Sequence, residues 1–165
     1  MLRSVRLPDG VPGQLRLHSM PGRYEPLAEV RAKIQDVGIQ TIICLARAEE
    51  IRSKSPTYAD ALAANTLPCA VEGFPISDYG VPEDREDFWS LASRIAKRLR
   101  EGTRILIHCG AGVGRTGTLA TCVLLALGVP QAEAQRAVSA AGSHPETPEQ
   151  RALVSWCATR SRAST

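Results

Sequence analysis

The 165-residue chain is poor in aromatic residues: two tryptophans, three tyrosines and two phenylalanines make up 4% of it. A surface that stacks nucleic-acid bases needs more rings, so no nucleic-acid partner is expected. A dominant charge is also missing. Twenty Lys and Arg stand against 17 Asp and Glu, and a net charge of +3 does not mark a polyanion binder. No CxxC or HxxxH pair occurs. The five cysteines (Cys44, Cys69, Cys109, Cys122 and Cys157) lie far apart, so neither a zinc site nor a disulfide framework is expected. Long apolar runs are lacking too. The longest, near Leu119 to Val129, is too short to span a bilayer, and the first residues lack the apolar core of a signal peptide. These absences predict a soluble, reduced, cytoplasmic protein with no membrane association, no metal and no cofactor, acting as a monomer.

What is present suffices for one domain. Hydrophobic residues are 44% of the chain, and a chain of this length buries about 70% of its unfolded surface without cross-links. No repeat or low-complexity linker interrupts it. Residues 1–165 are expected to form a single domain, with a core of about 15–158 and a frayed basic tail at 159–165.

Leu15 to His18 alternates like a strand, and Pro21-Gly22 reads as a turn. Leu27, Val30, Ile34 and Val37 recur at helical spacing between Pro26 and Gly38. Thr41 to Leu45 reads as a buried strand, and Cys69 to Ile76 as another interrupted by Gly73. Asp78 to Pro82 is a loop by composition. Acidic residues including Asp84 and Asp87 crowd the start of the next helix, and Lys97, Arg98 and Arg100 its end, which suits the helix dipole. Ile105 to His108 is a short strand that runs into a glycine-rich turn and a long apolar helix. Two more helices follow, the last opened by a Thr147-Pro148-Glu149-Gln150 capping box. Alternating strands and helices predict an α/β fold, with a mainly parallel central sheet of four to five strands flanked by helices.

The chemistry concentrates in His108-Cys109-Gly110-Ala111-Gly112-Val113-Gly114-Arg115-Thr116-Gly117, between that strand and that helix. The glycines let the backbone curl so that successive N–H groups point inward, an anion nest at a helix N-terminus. Arg115 closes the turn with a fork that grips two oxygens. Cys109 opens it, where the amides, the helix end and the arginine favour a thiolate. Gly112, Gly114 and Gly117 also match the GxGxxG dinucleotide pattern, but no acidic residue stands at a suitable strand end downstream. A nucleotide-binding loop needs Gly-Lys-Ser/Thr, and no lysine is present. A buried packing role fits Cys69, Cys122 and Cys157 better than Cys109.

His108-Cys109-x5-Arg115-Thr116 resembles the signature of the cysteine-dependent dual-specificity protein phosphatases. Phe74 to Pro82 is similar to the general-acid loop of their small members, and Asp78 precedes Cys109 by 31 positions. Leu17 to Gly22, Gly38-Ile39-Gln40, Pro75-Ile76-x-Asp78 and Leu106 to Cys109 resemble landmarks of the kinase-associated phosphatase group. The resemblance implies a cysteine-phosphatase fold and a phosphoprotein substrate. It implies hydrolysis of phosphotyrosine, and of phosphoserine or phosphothreonine, through a cysteinyl-phosphate.

Cys109 is then the nucleophile, and Asp78 the acid and later the base. Gly110, Ala111, Gly112, Val113, Gly114 and Arg115 form the phosphate cradle. Thr116 is a donor to the cysteine sulfur, and His108 a support for the loop. His144 is a minor candidate for substrate contact, and Cys44 for a resolving thiol, although buried packing suits Cys44 better. The alternatives are a phosphoinositide or RNA 5′-phosphate phosphatase, disfavoured by the lack of loop lysines, and a phospho-binding adaptor, disfavoured by an intact nucleophile. Sulfur transfer or arsenate reduction also uses a cysteine in an anion loop, and Asp78 speaks against sulfur transfer.

Overall fold

The computed structural model describes residues 1–163 and forms one five-stranded sheet with helices on both faces. The strands are β1 (Arg3–Val5), β2 (Gln14–His18), β3 (Thr41–Cys44), β4 (Ala70–Gly73) and β5 (Arg104–His108). Their order across the sheet is β1-β2-β5-β3-β4. Only the β1–β2 pair is antiparallel. The helices are α1 (Leu27–Val37), α2 (Ala48–Lys54), α3 (Pro56–Ala63), α4 (Arg85–Arg100), α5 (Gly114–Ala126), α6 (Gln131–Ala140) and α7 (Pro148–Ala163). The mainly parallel α/β sheet expected from the alternation is the one observed.

Side chains of a strand alternate between faces, and here both faces are covered. Ile105 and Ile107 of β5, with Ile43 of β3 and Leu15 and Leu17 of β2, join the core beneath α4, α5, α6 and α7. Leu106 and Ile42 point the other way and pack with Val30 and Ile34 of α1. Further along that second face, Cys44 packs with Met20, Ile51 and Tyr58 under α2 and α3. Helix α5 is buried from Gly114 through Leu125, as expected of a helix apolar on every side.

Several elements differ from the sequence reading. The three-residue β1 is too short for alternation to show, and it is held by pairing with β2. Helices α2 and α3 are short, and α2 buries only Ile51. Strand β4 ends at Gly73, and Phe74 and Ile76 then donate from their amides to the carbonyls of Cys44 and Leu45. The basic tail is not frayed as far as Ala163. Helix α7 continues through it, because Arg160 pairs with Glu86 at 2.7 Å and its guanidinium lies over Trp156. Ser164 and Thr165 lie outside the described residues. Among the described residues, no helix is long and apolar enough to cross a membrane, and no cluster of three or more His, Cys, Asp or Glu is placed to hold a metal ion.

Candidate active site

Strand β5 delivers Cys109 to the carboxyl edge of the sheet, and the chain turns there into the N-terminus of α5. Gly112 sits at φ +77°, and a Cβ on it would lie 2.5 Å from the His18 carbonyl oxygen, so only glycine fits. Cys109 is 2% exposed, and its Sγ accepts a hydrogen bond from the Gly112 N–H at 3.3 Å. Thr116 was expected to supply that donor. Its Oγ1 is instead buried with no hydrogen-bond partner, and the sulfur's partner is the backbone of the loop itself.

Arg115 is buried at the head of α5. Its Nη1 donates to Glu50 Oε2 and to the Ile76 carbonyl, each at 2.8 Å. Its Nη2 donates to Glu50 Oε1 at 2.8 Å and to Asp78 Oδ1 at 3.1 Å. This is a two-pronged carboxylate–guanidinium pair, which fixes the plane of the fork. Burial works against the Glu50 carboxylate, but Arg115 and Lys54 outweigh it and hold its carboxyl down at about 2. Burial likewise opposes the Arg115 charge, and Glu50 in turn raises that guanidinium above its ordinary value.

Asp78 sits in a tight turn closed by the Gly80 N–H on the Ser77 carbonyl at 2.8 Å. Tyr79, at the next position, is held at φ +60°, a region non-glycine residues seldom adopt. Its amide donates to Asp78 Oδ1 at 3.0 Å, and Lys54 Nζ approaches Asp78 Oδ2 at 3.5 Å. Behind the turn, Gln150 is buried. Its Nε2 donates to the Gly80 carbonyl at 3.1 Å, and its Oε1 accepts from the Glu146 N–H at 2.8 Å. The capping-box glutamine therefore also ties the Asp78 turn to α7.

His108 faces the α2–α3 side, as its parity with Leu106 requires. It is fully buried between the Cys109 carbonyl, 3.0 Å from Nδ1, and the Tyr58 hydroxyl, 2.8 Å from Nε2. A carbonyl only accepts, so Nδ1 carries the proton and the Tyr58 hydroxyl donates to Nε2. Burial pushes the imidazole down to about 4, which agrees with this neutral tautomer.

Cys109, Asp78, Arg115, Ala111 and Gly114 converge on a cavity of about 80 Å³. That is small beside the roughly 300–1,000 Å³ of most ligand pockets and suits an anionic head group. A larger cavity of about 490 Å³ between the N-terminal segment and α6 holds no cysteine or histidine. Arg23, Lys54, Tyr79 and Glu146 complete the site wall, and none was singled out from the sequence. Glu50 was missed as well. No motif marks these residues, because loops and short helices far apart in the chain bring them in. His144 is exposed and does not line the cavity. Cys44 lies opposite His108 in the sheet register and packs on the α2–α3 side, whereas Cys109 belongs to the core on the other face. Burial pushes the Cys44 thiol up to about 11.

A buried cysteine beneath a curled loop, an arginine closing that loop and an aspartate on a facing turn define a cysteine-dependent phosphatase fold. The model of the Swiss Army Knife (PTP-SAK) family, a DSP-PTPase phosphatase domain, matches residues 10–164. The chain belongs to that family of dual-specificity and protein-tyrosine phosphatases. Human tyrosine-protein phosphatase non-receptor type 4 is 42% identical over 45 residues, which is 27% of this chain and 5% of that protein. The match thus spans only a small part of that curated relative. Kinase-associated phosphatase, solved with its catalytic-site cysteine changed to serine, superposes with a TM-score of 0.81 at 20% identity, covering 99% of this chain and 96% of that one. PTPMT1 in complex with PI(5)P gives 0.72 at 18% identity, covering 91% and 93%.

Proposed function

We propose that this chain hydrolyses phosphate monoesters on proteins, phosphotyrosine first and phosphoserine or phosphothreonine in addition, through a cysteinyl-phosphate. The observation that carries the reading is the convergence of Cys109, Arg115 and Asp78 on one small cavity at the N-terminus of α5. Cys109 attacks phosphorus as the thiolate while the bond to the leaving oxygen breaks. The amides of Gly110 through Arg115 and the Arg115 fork meet the three equatorial oxygens, whose charge persists through the transition state. Asp78 protonates the departing oxygen. It then takes a proton from the water that attacks the phosphocysteine, which returns the thiolate and releases phosphate. Arg115 holds Asp78 in this structure, so a bound phosphate group takes over that contact and frees the carboxyl. His108 serves the loop rather than the proton transfers, because its ring is buried and both of its nitrogens are committed. We expect the chain to act in a reducing cytoplasm, as a monomer and as a single domain.

A second reading, a phosphoinositide phosphatase, draws on Arg23 and Lys54. They add cations at the wall beyond the single Arg115 of the loop, and PTPMT1 with PI(5)P shares the fold. The experiment is a panel of phosphotyrosine, phosphoserine and phosphothreonine peptides, phosphoinositides and RNA 5′-phosphates, assayed with the wild type and Cys109→Ser. Turnover of phosphopeptides that disappears in the variant supports the first reading. Turnover confined to the lipids establishes the second, and turnover retained by Cys109→Ser removes the covalent mechanism from both.

A further inference from the structure

The glycine-rich loop is held from outside by two residues remote in sequence. Arg3, at the start of β1, donates from Nη2 to the Gly112 carbonyl at 2.7 Å. Its Nη1 donates to the Ala141 carbonyl at 2.7 Å and to Ser143 Oγ at 2.9 Å. Ser143, fully buried in the connection between α6 and α7, donates from Oγ to the same Gly112 carbonyl at 2.6 Å. One backbone oxygen therefore accepts two hydrogen bonds, one of them charge-assisted, on the outer side of the loop. The amide of that same residue donates to the Cys109 sulfur at 3.3 Å on the inner side.

A trans peptide unit directs its C=O and N–H in opposite senses. Holding the Gly112 carbonyl outward thus directs the following Val113 N–H inward, to the side where the cradle needs donors. Left without partners, the carbonyl would be a buried acceptor free to turn toward the anion site. There its negative end would oppose both the thiolate and the phosphate. The Arg3 cation also lies within electrostatic reach of Cys109. Burial lowers the Arg3 guanidinium below its ordinary value, and the Cys109 charge works in the opposite direction.

Building on the phosphatase reading above, we propose that Arg3 and Ser143 are positioning residues for the reaction. Through the Gly112 carbonyl they keep the Val113 N–H turned toward the phosphate, and with it the curl of the loop that leaves the Gly112 N–H on the nucleophile. Neither touches the substrate. The role passes from the first strand and the α6–α7 connection into the loop through hydrogen bonds to a single carbonyl.

The test uses the full chain with Arg3→Met, Arg3→Lys and Ser143→Ala. The readouts are kcat and KM for an aryl phosphate, the inhibition constant of vanadate, and the melting temperature. In Arg3→Met kcat/KM is expected to fall about tenfold or more, with vanadate binding weakened alongside it, because a carbonyl turned inward opposes an anion that mimics the transition state. Arg3→Lys should recover little of the loss, since one ammonium cannot bridge the Gly112 and Ala141 carbonyls as the fork does. Ser143→Ala should slow turnover several-fold and weaken vanadate binding to a smaller extent. If Arg3→Met fails to fold, the other two variants carry the test.

An unchanged rate and vanadate affinity in the folded variants overturns the proposal, as does a loss tracking only the melting temperature. Cys109→Ser is measured alongside. If it is dead while the Arg3 and Ser143 variants behave as wild type, the positioning role falls and the phosphatase reading stands. If it retains turnover, the covalent mechanism falls and the positioning role falls with it.

Discussion

Glu50→Gln tests how Arg115 is held, and the size of its effect follows from the structure. The glutamine amide keeps the shape of the carboxyl group, but it removes the charge and turns one of the two acceptors that Arg115 uses into a donor. In the wild type the Glu50 carboxyl titrates at about 2, against an ordinary 4.5, because the Arg115 and Lys54 attractions exceed the burial cost. That difference corresponds to roughly 3 kcal/mol of stability at neutral pH, at 1.36 kcal/mol per unit. It lies at the lower edge of the roughly 3–5 kcal/mol lost when a buried pair loses one partner. Retention of the Ile76 and Asp78 acceptors by Arg115 fits a value at that edge. For a domain of this size the melting temperature should drop by about 6–12 °C.

The sign is that of a depressed carboxyl. The contribution is complete above the ordinary carboxylate value and disappears as pH falls through about 2, so less than half of it remains near pH 3. Urea unfolding of wild type and Glu50→Gln at pH 7 and near pH 3 should show the gap narrowing. The kcat/KM for an aryl phosphate should fall roughly a hundredfold, as a misaligned fork no longer meets the phosphate oxygens. A gap below about 1 kcal/mol at neutral pH, or one of equal size at both pH values, would refute the argument that the carboxylate charge organises Arg115.

Asp78→Ala should lower kcat by roughly 10²–10⁴ on phosphotyrosine and much less on an aryl phosphate with an activated leaving group. Equal losses on both, or the same dependence in Asp84→Ala, would mean the acid is another residue. Asp84 caps α4 through the Glu86 and Asp87 amides, so its loss should cost stability alone. Arg115→Lys should be nearly as damaging as removing the side chain, because an ammonium cannot satisfy two Glu50 oxygens and two phosphate oxygens in one plane; near-normal kcat/KM would count against this. The buried neutral His108 contributes stability that is complete above its ordinary 6.5 and lost as pH falls toward about 4, some 3 kcal/mol in all. Tyr58→Phe leaves its Nε2 without a donor and should cost about 1–3 kcal/mol at neutral pH, read by denaturant unfolding. After mild peroxide, mass spectrometry should find Cys109 oxidised and no Cys44–Cys109 disulfide, since the two side chains pack on opposite faces of the sheet.

Local chemistry was legible in the sequence wherever a motif is contiguous. The strand–loop–helix around Cys109, the charge-capped α4 and the Gly38 terminus of α1 each depend on residues a few positions apart, and the structure reproduces them. The parallel α/β class followed from the alternation of strands and helices, because strands buried on both faces read as short apolar runs. Contacts at long range left no such trace. Glu50 in a seven-residue helix looks like any surface glutamate, and Lys54 on that helix like any surface lysine. Arg3 in a three-residue strand looks like a terminal charge. Their meaning arises only when β5 sits beside β2 and β3, and the N-terminus of α5 is closed in by α2, the Asp78 turn and the α6–α7 connection. The sequence by itself determined that a glycine-rich loop between a cysteine and an arginine joins β5 to α5. The tertiary structure decided which carboxylate orients its arginine, which amide meets its sulfur and which arginine braces it from behind. Those partners are chosen by proximity in space, which no local spacing encodes.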